Sequence, residues 1–185
     1  MAITVRKLGI PDTEMVESFH CGDLALDDYL RRYALKNQER HMVGMTYVAI
    51  SSDTPDRVLG YYTIANTSIP RTRMPEDVLR GLPKYGDLPA ILLGRFAVDA
   101  DFQKRGIGHI LMSHAISTSV AVSQLSAARY IFTESYDSTT GWYEKYSFRQ
   151  IPGGEEPNRN KMYLDLKVVM KAREVAGKTL FTISA

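Results

Sequence analysis

The sequence predicts a single domain of the α/β or α+β class, with one sheet and helices on both of its faces. Hydrophobic spacing alternates between strand and helix periods along the 185 residues, without a long linker or an internal repeat. One run, residues 90–98, is almost continuously apolar, which is typical of a strand covered on both faces. Strands and helices that alternate around such a strand favour a layered architecture.

The first half of the chain is predicted to contain a strand, a helix and a strand pair. Alternating residues 3–8 predict the first strand. Asp23 is a suitable N-cap, and apolar side chains follow it at helical spacing to about His41. Residues 45–51 and 58–67 predict two further strands, which a turn-rich stretch joins.

The second half begins with a proline-rich insertion, residues 70–89, which is expected to be irregular and partly helical. The strand over 90–98 leads into a helix from about Gly108. The face of this helix that we assign to the core consists of Leu111, Ala115, Thr118, Val122 and Leu125. The last predicted elements are a strand over 130–133, a helix over 138–146, and a closing strand pair over 148–151 and 162–168.

Composition excludes several classes of protein. With 44% hydrophobic and 24% charged residues, the chain is typical of a globular protein rather than of a disordered or membrane protein. The N-terminus lacks the layout of a signal peptide, and the single cysteine, Cys21, fits a reducing cytoplasm. The four histidines show no ligand spacing. We therefore expect a cytoplasmic protein without a membrane segment or a metal.

The most informative stretch joins the apolar strand to its helix. Its residues are Gln103, Lys104, Arg105, Gly106, Ile107 and Gly108. Two glycines at the mouth of a helix allow a ligand to approach the backbone closely. The N–H groups of the first helical turn, aided by the helix dipole, favour an anion, and two side chains of the loop add positive charge. The pattern indicates a pyrophosphate site.

Three other interpretations of this loop compete. A dinucleotide-binding fingerprint requires Gly or Ala where Leu111 stands, and its acidic partner is missing. A phosphate-binding loop of the Walker type requires Gly-Lys followed by Ser or Thr, which the chain lacks. The alternative that stays open is an ordinary helix N-terminus with a glycine cap, which would not bind an anion.

With the strand before it, this loop resembles the pyrophosphate signature of the GNAT superfamily of N-acetyltransferases. That signature is Gln/Arg-x-x-Gly-x-Gly/Ala, and residues 103–108 satisfy every position. The resemblance implies acetyl-CoA as the cofactor and a mixed central sheet with a splayed strand pair at the cofactor site. It also implies that Phe96, Ala97 and Val98 pair with the pantetheine arm.

A second segment, residues 142–148, is similar to the family's Phe-Tyr-x-x-x-Gly-Phe pattern. It departs from that pattern with Trp142 for Phe and Ser147 for Gly. The resemblance implies that Tyr143 faces the thioester sulfur and protonates the leaving thiolate. Taken alone, the tyrosine is better explained as a half-buried core aromatic, but its distance downstream of the loop favours the acid.

A strong general base is not obvious in the sequence. Glu134 is a candidate, although an exposed carboxylate at a strand end explains it better. A lysine amine, with a pKa of about 10.4, must lose a proton before it attacks, whereas an α-amino group, with a pKa of about 7.7–8.0, is already partly neutral. The missing base therefore favours an α-amine as the acceptor.

A narrower resemblance covers about residues 15–168. Phe19, Gly22, Leu26 and the later stretch 93–99 look like the corresponding parts of GNAT toxins from bacterial toxin–antitoxin modules. The resemblance implies an enzyme that acetylates the α-amino group of aminoacyl-tRNA and so blocks translation. It also implies a homodimer that a small DNA-binding antitoxin neutralises.

Basic side chains occur where a tRNA substrate would need them. Arg32, Lys36 and Arg40 recur every four residues on the first helix, and Arg71 and Arg73 lie in the insertion. Both groups would suit tRNA phosphates, while a solvated helix face explains the first group equally well.

Arg95 is a charge within the apolar strand, where it needs a partner or a phosphate. The resemblance places an arginine there near the acceptor, and a structural ion pair is the alternative.

Two other functions stay open from the sequence. One is a GNAT enzyme for a small amine or a protein N-terminus, and the other is a non-catalytic acyl-CoA-binding regulator, which would not need Tyr143. We expect an N-acetyltransferase domain over residues 1–168. The extension over 169–185 would be an added strand, a dimer element or a disordered end.

Overall fold

The computed structural model describes residues 2–153 and 157–177. The strands within these residues are β1 (Ile3–Lys7), β2 (Met45–Ser51), β3 (Gly60–Ile69), β4 (Leu88–Val98), β5 (Tyr130–Tyr136), β6 (Arg149–Gln150) and β7 (Arg159–Asp165). The helices are α1 (Leu24–Asp28), α2 (Glu76–Leu79), α3 (Ile107–Ser126), α4 (Asp137–Glu144) and α5 (Leu166–Val175). In these parts of the chain, no helix is both long enough and apolar enough to cross a bilayer.

These strands form one sheet in the order β1-β2-β3-β4-β5-β7-β6. The α/β class with a mixed sheet that the sequence predicted is therefore confirmed. The chain divides into two compact units. The first comprises Met1–Ala65 with Leu93–Ile116, and the second comprises Asn66–Leu92 with Ser117–Ala185.

The first helical segment of the first unit begins where the sequence predicted. The carboxylate of Asp23 accepts the N–H groups two and three residues further along the chain, and helical structure continues to His41. Beyond α1 the segment becomes π-helical over Tyr29–Ala34 and again over Asn37–His41, which the sequence did not predict. Such turns are rare and occur frequently at functional sites.

The core of the first unit joins this helical segment to the sheet. Leu30 and Ala34 are fully buried on the segment, and they pack in one cluster with Phe19, Val48 and Tyr61. In the sheet below the segment, β2 pairs antiparallel with β1 and with β3. Burial of this apolar face holds the helical segment against the sheet.

The second unit is built on the antiparallel pair β5 and β7, with the short β6 along the other edge of β7. The insertion is irregular and partly helical, as predicted, with α2 and one tight turn over Arg71–Arg73. Met74 of the insertion belongs to the same apolar cluster as Tyr130 and Tyr163 of the sheet. Residues 70–87 thus cover apolar side chains of this unit.

The predicted buried face of α3 is wrong in its second half. Leu125 is 76% exposed and Val122 is only half-buried, whereas Ser119 and Ser123 are buried in their place. The hydroxyl of Ser123 donates to the Val120 carbonyl at 2.7 Å, so this polar group is satisfied inside the protein. For this reason hydrophobicity alone did not identify Ser123 as a buried position.

The C-terminal strand is also shorter than predicted. It ends at Asp165, whose carboxylate accepts the Lys167 N–H at 2.9 Å and caps α5. Residues 166–168, which were assigned to the strand, are therefore helical. The last residues of the expected extension, 178–185, lie outside the described residues.

Ser147 occupies a backbone conformation that favours glycine. Its φ is +67°, where a side chain costs about 1 kcal/mol. We expect Ser147→Gly to raise the free energy of unfolding in urea by about 0.5–1 kcal/mol. Ser147→Ala keeps the strained Cβ and is the control, so an equal gain from alanine would contradict this explanation.

Candidate active site

The loop predicted to bind phosphate lies at the start of α3, as expected. Lys104 and Gly106 have φ angles of +61° and +86°, and alternation of this kind turns successive N–H groups toward one side. A Cβ at Gly106 would meet nothing within 4 Å, while the neighbouring Ile107 is buried and anchors the loop. The N–H groups at the start of α3 therefore lie beside an open surface, although the His109 N–H already donates to the Gly106 carbonyl at 3.1 Å.

Gln103 is exposed and supports the loop through hydrogen bonds to the backbone. Its side-chain amide donates to the carbonyls of Cys21 and Val98, both at 3.1 Å. It thus ties the loop to the end of β4. Lys104 and Arg105 are exposed, and the guanidinium of Arg105 lies 5.6 Å from the ring centre of Phe102. These two cations are the charges that the loop offers to an anion.

Asp99, which was not predicted as a functional residue, positions the connection between β4 and the loop. Its buried carboxylate accepts the N–H groups of His20 and Asp101, each at 3.1 Å, and a guanidinium N–H of Arg57 at 3.0 Å. A carboxylate directly after a buried strand could have been recognised as a cap. Nothing local indicates Arg57, which is distant in sequence.

The end of β4 approaches β3 so closely that only glycine fits at position 60. A Cβ on Gly60 would lie 2.8 Å from the Ala97 carbonyl oxygen and 2.8 Å from Leu111 Cδ1. Ala97 is buried, while Phe96 and Val98 are half-buried. The strand is thus less covered at this end than over Ala90 and Ile91. The pairing of Phe96, Ala97 and Val98 with a pantetheine arm stays a prediction.

Arg95 contacts an aromatic ring instead of the carboxylate that an ion pair requires. The side chain is exposed, and its guanidinium carbon lies 4.5 Å from the ring centre of Tyr29 on the first π-helical stretch. Tyr29 stacks on Tyr61 with 6.3 Å between ring centres. One guanidinium N–H of Arg95 donates to the Gly94 carbonyl at 3.2 Å, and the ring stabilises the cation. The structural ion pair that was the alternative for Arg95 is therefore not formed with the described residues.

The other predicted basic residues divide into two groups. Arg32, Lys36 and Arg40 are exposed on the helical segment over 24–41, and Arg32 lies 3.6 Å from the Asp28 carboxylate. In the second unit, Arg71 donates to the Pro83 carbonyl and so closes the insertion. Arg73 is exposed. Phosphate binding by these residues remains a prediction, and Arg71 has a structural role in addition.

Tyr143 lies on α4 in the second unit and is 7% exposed. Burial raises the pKa of its hydroxyl to about 12, although a hydrogen bond with Thr133 opposes the rise. Its ring packs edge-on against Trp142 and Phe148, with centres 5.2 and 5.5 Å away. Tyr143 therefore packs as a core aromatic, and its hydroxyl is also protonated at neutral pH, as a general acid requires.

The surroundings of two more reactive side chains, Cys21 and the candidate base Glu134, argue against a catalytic role for either. Burial, and then Asp27, raise the pKa of the Cys21 thiol to about 12, so Cys21 stays a thiol and does not act as a nucleophile. Glu134 lies within β5, opposite Lys161, rather than at its end. Its carboxylate is 3.6 Å from the Arg159 guanidinium, so it already has a cationic partner.

Sequence comparison identifies the family. Residues 13–148 match the acetyltransferase (GNAT) family. The chain is 34% identical over 144 residues to a tRNA-acetylating toxin of Mycobacterium tuberculosis, across 77% of this chain and 83% of that protein. The chain therefore belongs to the GNAT family of acetyltransferases. A probable toxin TacT of Sinorhizobium fredii is 22% identical over 143 residues, 73% of this chain and 78% of that protein.

Solved structures share the fold. A tyrosine-to-phenylalanine mutant of KacT superposes with a TM-score of 0.82 at 24% identity, over 93% of this chain and 99% of that chain. AtaT complexed with acetyl-methionyl-tRNAfMet gives a TM-score of 0.81 at 23% identity, over 92% and 99% of the two chains. AtaTR bound with acetyl-CoA gives 0.75 at 24% identity, over 92% and 97%.

Proposed function

We propose that this acetyltransferase moves the acetyl group of acetyl-CoA to the α-amino group of aminoacyl-tRNA, and that it acts as a toxin by blocking translation. The observation that carries the proposal is the open loop at Gly106, in a chain 34% identical to a tRNA-acetylating toxin. The loop supports binding of the cofactor phosphates, and the similarity to that toxin supports aminoacyl-tRNA as the acceptor of the acetyl group.

Each group of residues has a proposed task. The N–H groups of the loop, with Lys104 and Arg105, hold the pyrophosphate. The backbone of Phe96, Ala97 and Val98 holds the pantetheine arm. Acetyl-CoA supplies a thioester, and the amine forms a C–N bond to its carbonyl carbon as the C–S bond breaks. Tyr143 donates its proton to the departing sulfur. The nitrogen releases one proton to solvent, and the Tyr143 phenolate takes one back from solvent.

The proposed acceptor also agrees with the surroundings of Glu134 and Cys21, neither of which is well placed to act as a general base. Glu134 is ion-paired and Cys21 is a thiol of high pKa. An α-amine, with a pKa of about 7.7–8.0, needs little help to lose its proton at neutral pH. A tRNA substrate would place the activity in the cytoplasm.

We also propose a homodimer and a small DNA-binding antitoxin as partners. Structures sharing this fold include a KacTA–DNA complex and AtaT bound to the C-terminus of the antitoxin AtaR. Co-expression of the toxin with its cognate antitoxin would be expected to restore growth.

The basic residues on the helical segment over 24–41 provide one test of the acceptor. Changing Lys36 and Arg40 together to Glu is expected to lower the affinity for charged tRNA and the dependence of binding on salt, because fewer counterions are released. Arg32 stays in place, since it already lies beside Asp28. Charge reversal of the exposed Lys167 and Lys171 changes the net charge equally and serves as the control.

A competition among acceptors tests the function itself. Labelled acetyl-CoA is incubated with the enzyme and with bulk charged tRNA, deacylated tRNA, a polyamine or a peptide. We expect label in charged tRNA, and only there. Label in the polyamine or peptide would instead support the general GNAT enzyme, while acetyl-CoA binding without transfer to any acceptor would support the non-catalytic regulator.

A further inference from the structure

Three residues that belong to no helix or strand, 19–21, are hydrogen-bonded to two parts of the first unit. We call them the linking segment. On one side they contact the connection from β4 to α3. The His20 carbonyl accepts the Ala100 N–H at 2.7 Å, and the Cys21 carbonyl accepts the side-chain amide of Gln103 at 3.1 Å. The linking segment is thus bound to the backbone and to a side chain of the loop that precedes α3.

On the other side, the linking segment is held by a buried carboxylate of α1. Asp27 is 1% exposed, and one of its oxygens accepts the Cys21 N–H at 2.8 Å. The other oxygen lies 2.9 Å from Nδ1 of the His20 ring. Four residues further along the chain, the Arg31 guanidinium donates to the Phe19 carbonyl. A carboxylate so deeply buried is costly unless it is hydrogen-bonded, and the linking segment supplies both of these partners.

The bonds to Asp27 and Ala100 meet at a single peptide group. The His20 carbonyl and the Cys21 N–H belong to the same planar unit. Asp27 accepts at one edge of this plane, and Ala100 donates to the other edge. A planar group that is held at both edges cannot rotate without breaking one of the two bonds. The position of α1 therefore limits the position of the backbone at Ala100.

We propose that Asp27 is a positioning residue for acetyl-CoA. It fixes the peptide group between His20 and Cys21, and through this group it holds the connection over 99–106 in the shape that receives the cofactor phosphates. The left-handed conformation of Lys104, with φ of +61°, costs about 1 kcal/mol, so contacts with neighbouring segments have to maintain it. The inference rests on the proposed binding of phosphates by this loop and does not depend on the acceptor.

A second buried carboxylate separates positioning from stability. Asp12 is also 1% exposed in the first unit, but it binds the Arg6 guanidinium at 2.7 Å and the Gly9 N–H at 2.8 Å. Asp27→Ala and Asp12→Ala should both lower the free energy of unfolding. Only Asp27→Ala should raise the Kd of acetyl-CoA in calorimetry, by about tenfold, as expected if the loop keeps its binding shape about a tenth of the time.

The conservative variant tests which contact matters. Asp27→Asn keeps an oxygen that can accept the Cys21 N–H, although without the charge that strengthens the bond. It should therefore restore most of the affinity and leave the Kd of acetyl-CoA about two- to threefold above that of the wild type. If Asp27→Ala does not fold, the comparison of Asp27→Asn with Asp12→Asn decides in its place, since the second variant should bind acetyl-CoA like the wild type.

The amide resonances of Gly106 and Gly108 report on the loop without any cofactor. They should move in Asp27→Ala, move less in Asp27→Asn and stay in place in the Asp12 variants. Unmoved glycine resonances, or equal acetyl-CoA affinities in the Asp27 and Asp12 variants, would overturn the proposal. If the wild type acetylates no charged tRNA, the proposed function fails, whereas the resonances and the affinities still decide whether Asp27 positions the loop.

Discussion

Tyr143→Phe is expected to lower turnover by about 10²–10⁴-fold, which is the usual contribution of a general acid. This corresponds to about 3–5 kcal/mol of transition-state stabilisation. The affinity for acetyl-CoA and the free energy of unfolding should change little, because the ring that packs against Trp142 and Phe148 remains. Initial rates at saturating acetyl-CoA, with calorimetric binding in parallel, measure both quantities.

The high pKa of Tyr143 keeps its hydroxyl protonated, as an acid requires, but it also makes transfer of the proton energetically costly. At about 12, the hydroxyl is fully protonated at neutral pH, as an acid must be. A thiol has a pKa of about 8.5, so transfer to its thiolate is uphill by about 5 kcal/mol. The value of about 12 already includes the hydrogen bond with Thr133, so contacts made only in the transition state have to offset this cost.

A neighbouring tyrosine provides the control for this substitution. Tyr146 is half-buried, and its ring lies 5.0 Å from Trp142. Tyr146→Phe removes a hydroxyl from the same aromatic cluster, and nearly full turnover is expected. In cells, expression of the wild type and of Tyr146→Phe should arrest growth, whereas Tyr143→Phe should not. Full turnover by Tyr143→Phe would mean that Tyr143 is a core aromatic and not the acid.

Gly106→Asp is expected to weaken acetyl-CoA binding by about 100- to 1000-fold. A Cβ at this position has open space, so the carboxylate would project where the pyrophosphate is proposed to lie. A like charge about 4 Å away costs about 4 kcal/mol at the surface of a protein. Calorimetry measures the affinity, and circular dichroism checks that the fold is kept.

Gly106→Asn is the matched control. Asparagine is nearly isosteric with aspartate, and both tolerate the left-handed conformation that φ of +86° requires. Strain and bulk are therefore common to the two variants, and their difference in affinity isolates the charge. Equal affinities for Asp and Asn would mean that no anion binds at this loop, which would then be a plain helix start.

Local signals explain what the sequence could predict. The cap at Asp23 and the glycine pattern at residues 103–108 depend on neighbours along the chain, and both are found where expected. The strand β2 has the predicted bounds, since turn residues delimit it. The spacing of Tyr143 from the loop predicts an acid, which stays a prediction, whereas the core packing that its ring indicated is found.

Long-range contacts explain what the sequence could not predict. The bond between Asp99 and Arg57 and the contact between Arg95 and Tyr29 join residues that are far apart in the chain. The π-helical turns preserve helical spacing closely enough to be indistinguishable from α-helix by pattern. In α3, the hydroxyl of Ser123 donates to a carbonyl of its own helix. A hydropathy pattern does not show that a polar group is hydrogen-bonded in this way.

Identification of the atom that receives the acetyl group is the most direct test of the proposed function. Charged tRNA is acetylated by the enzyme, its ester bond is hydrolysed in mild base, and the released amino acid is identified by mass spectrometry. We expect the amino acid to carry acetyl on its α-nitrogen, and the nucleosides to carry none. Acetyl found on a nucleoside, or amino acid released unmodified while a polyamine or peptide is acetylated, would contradict it.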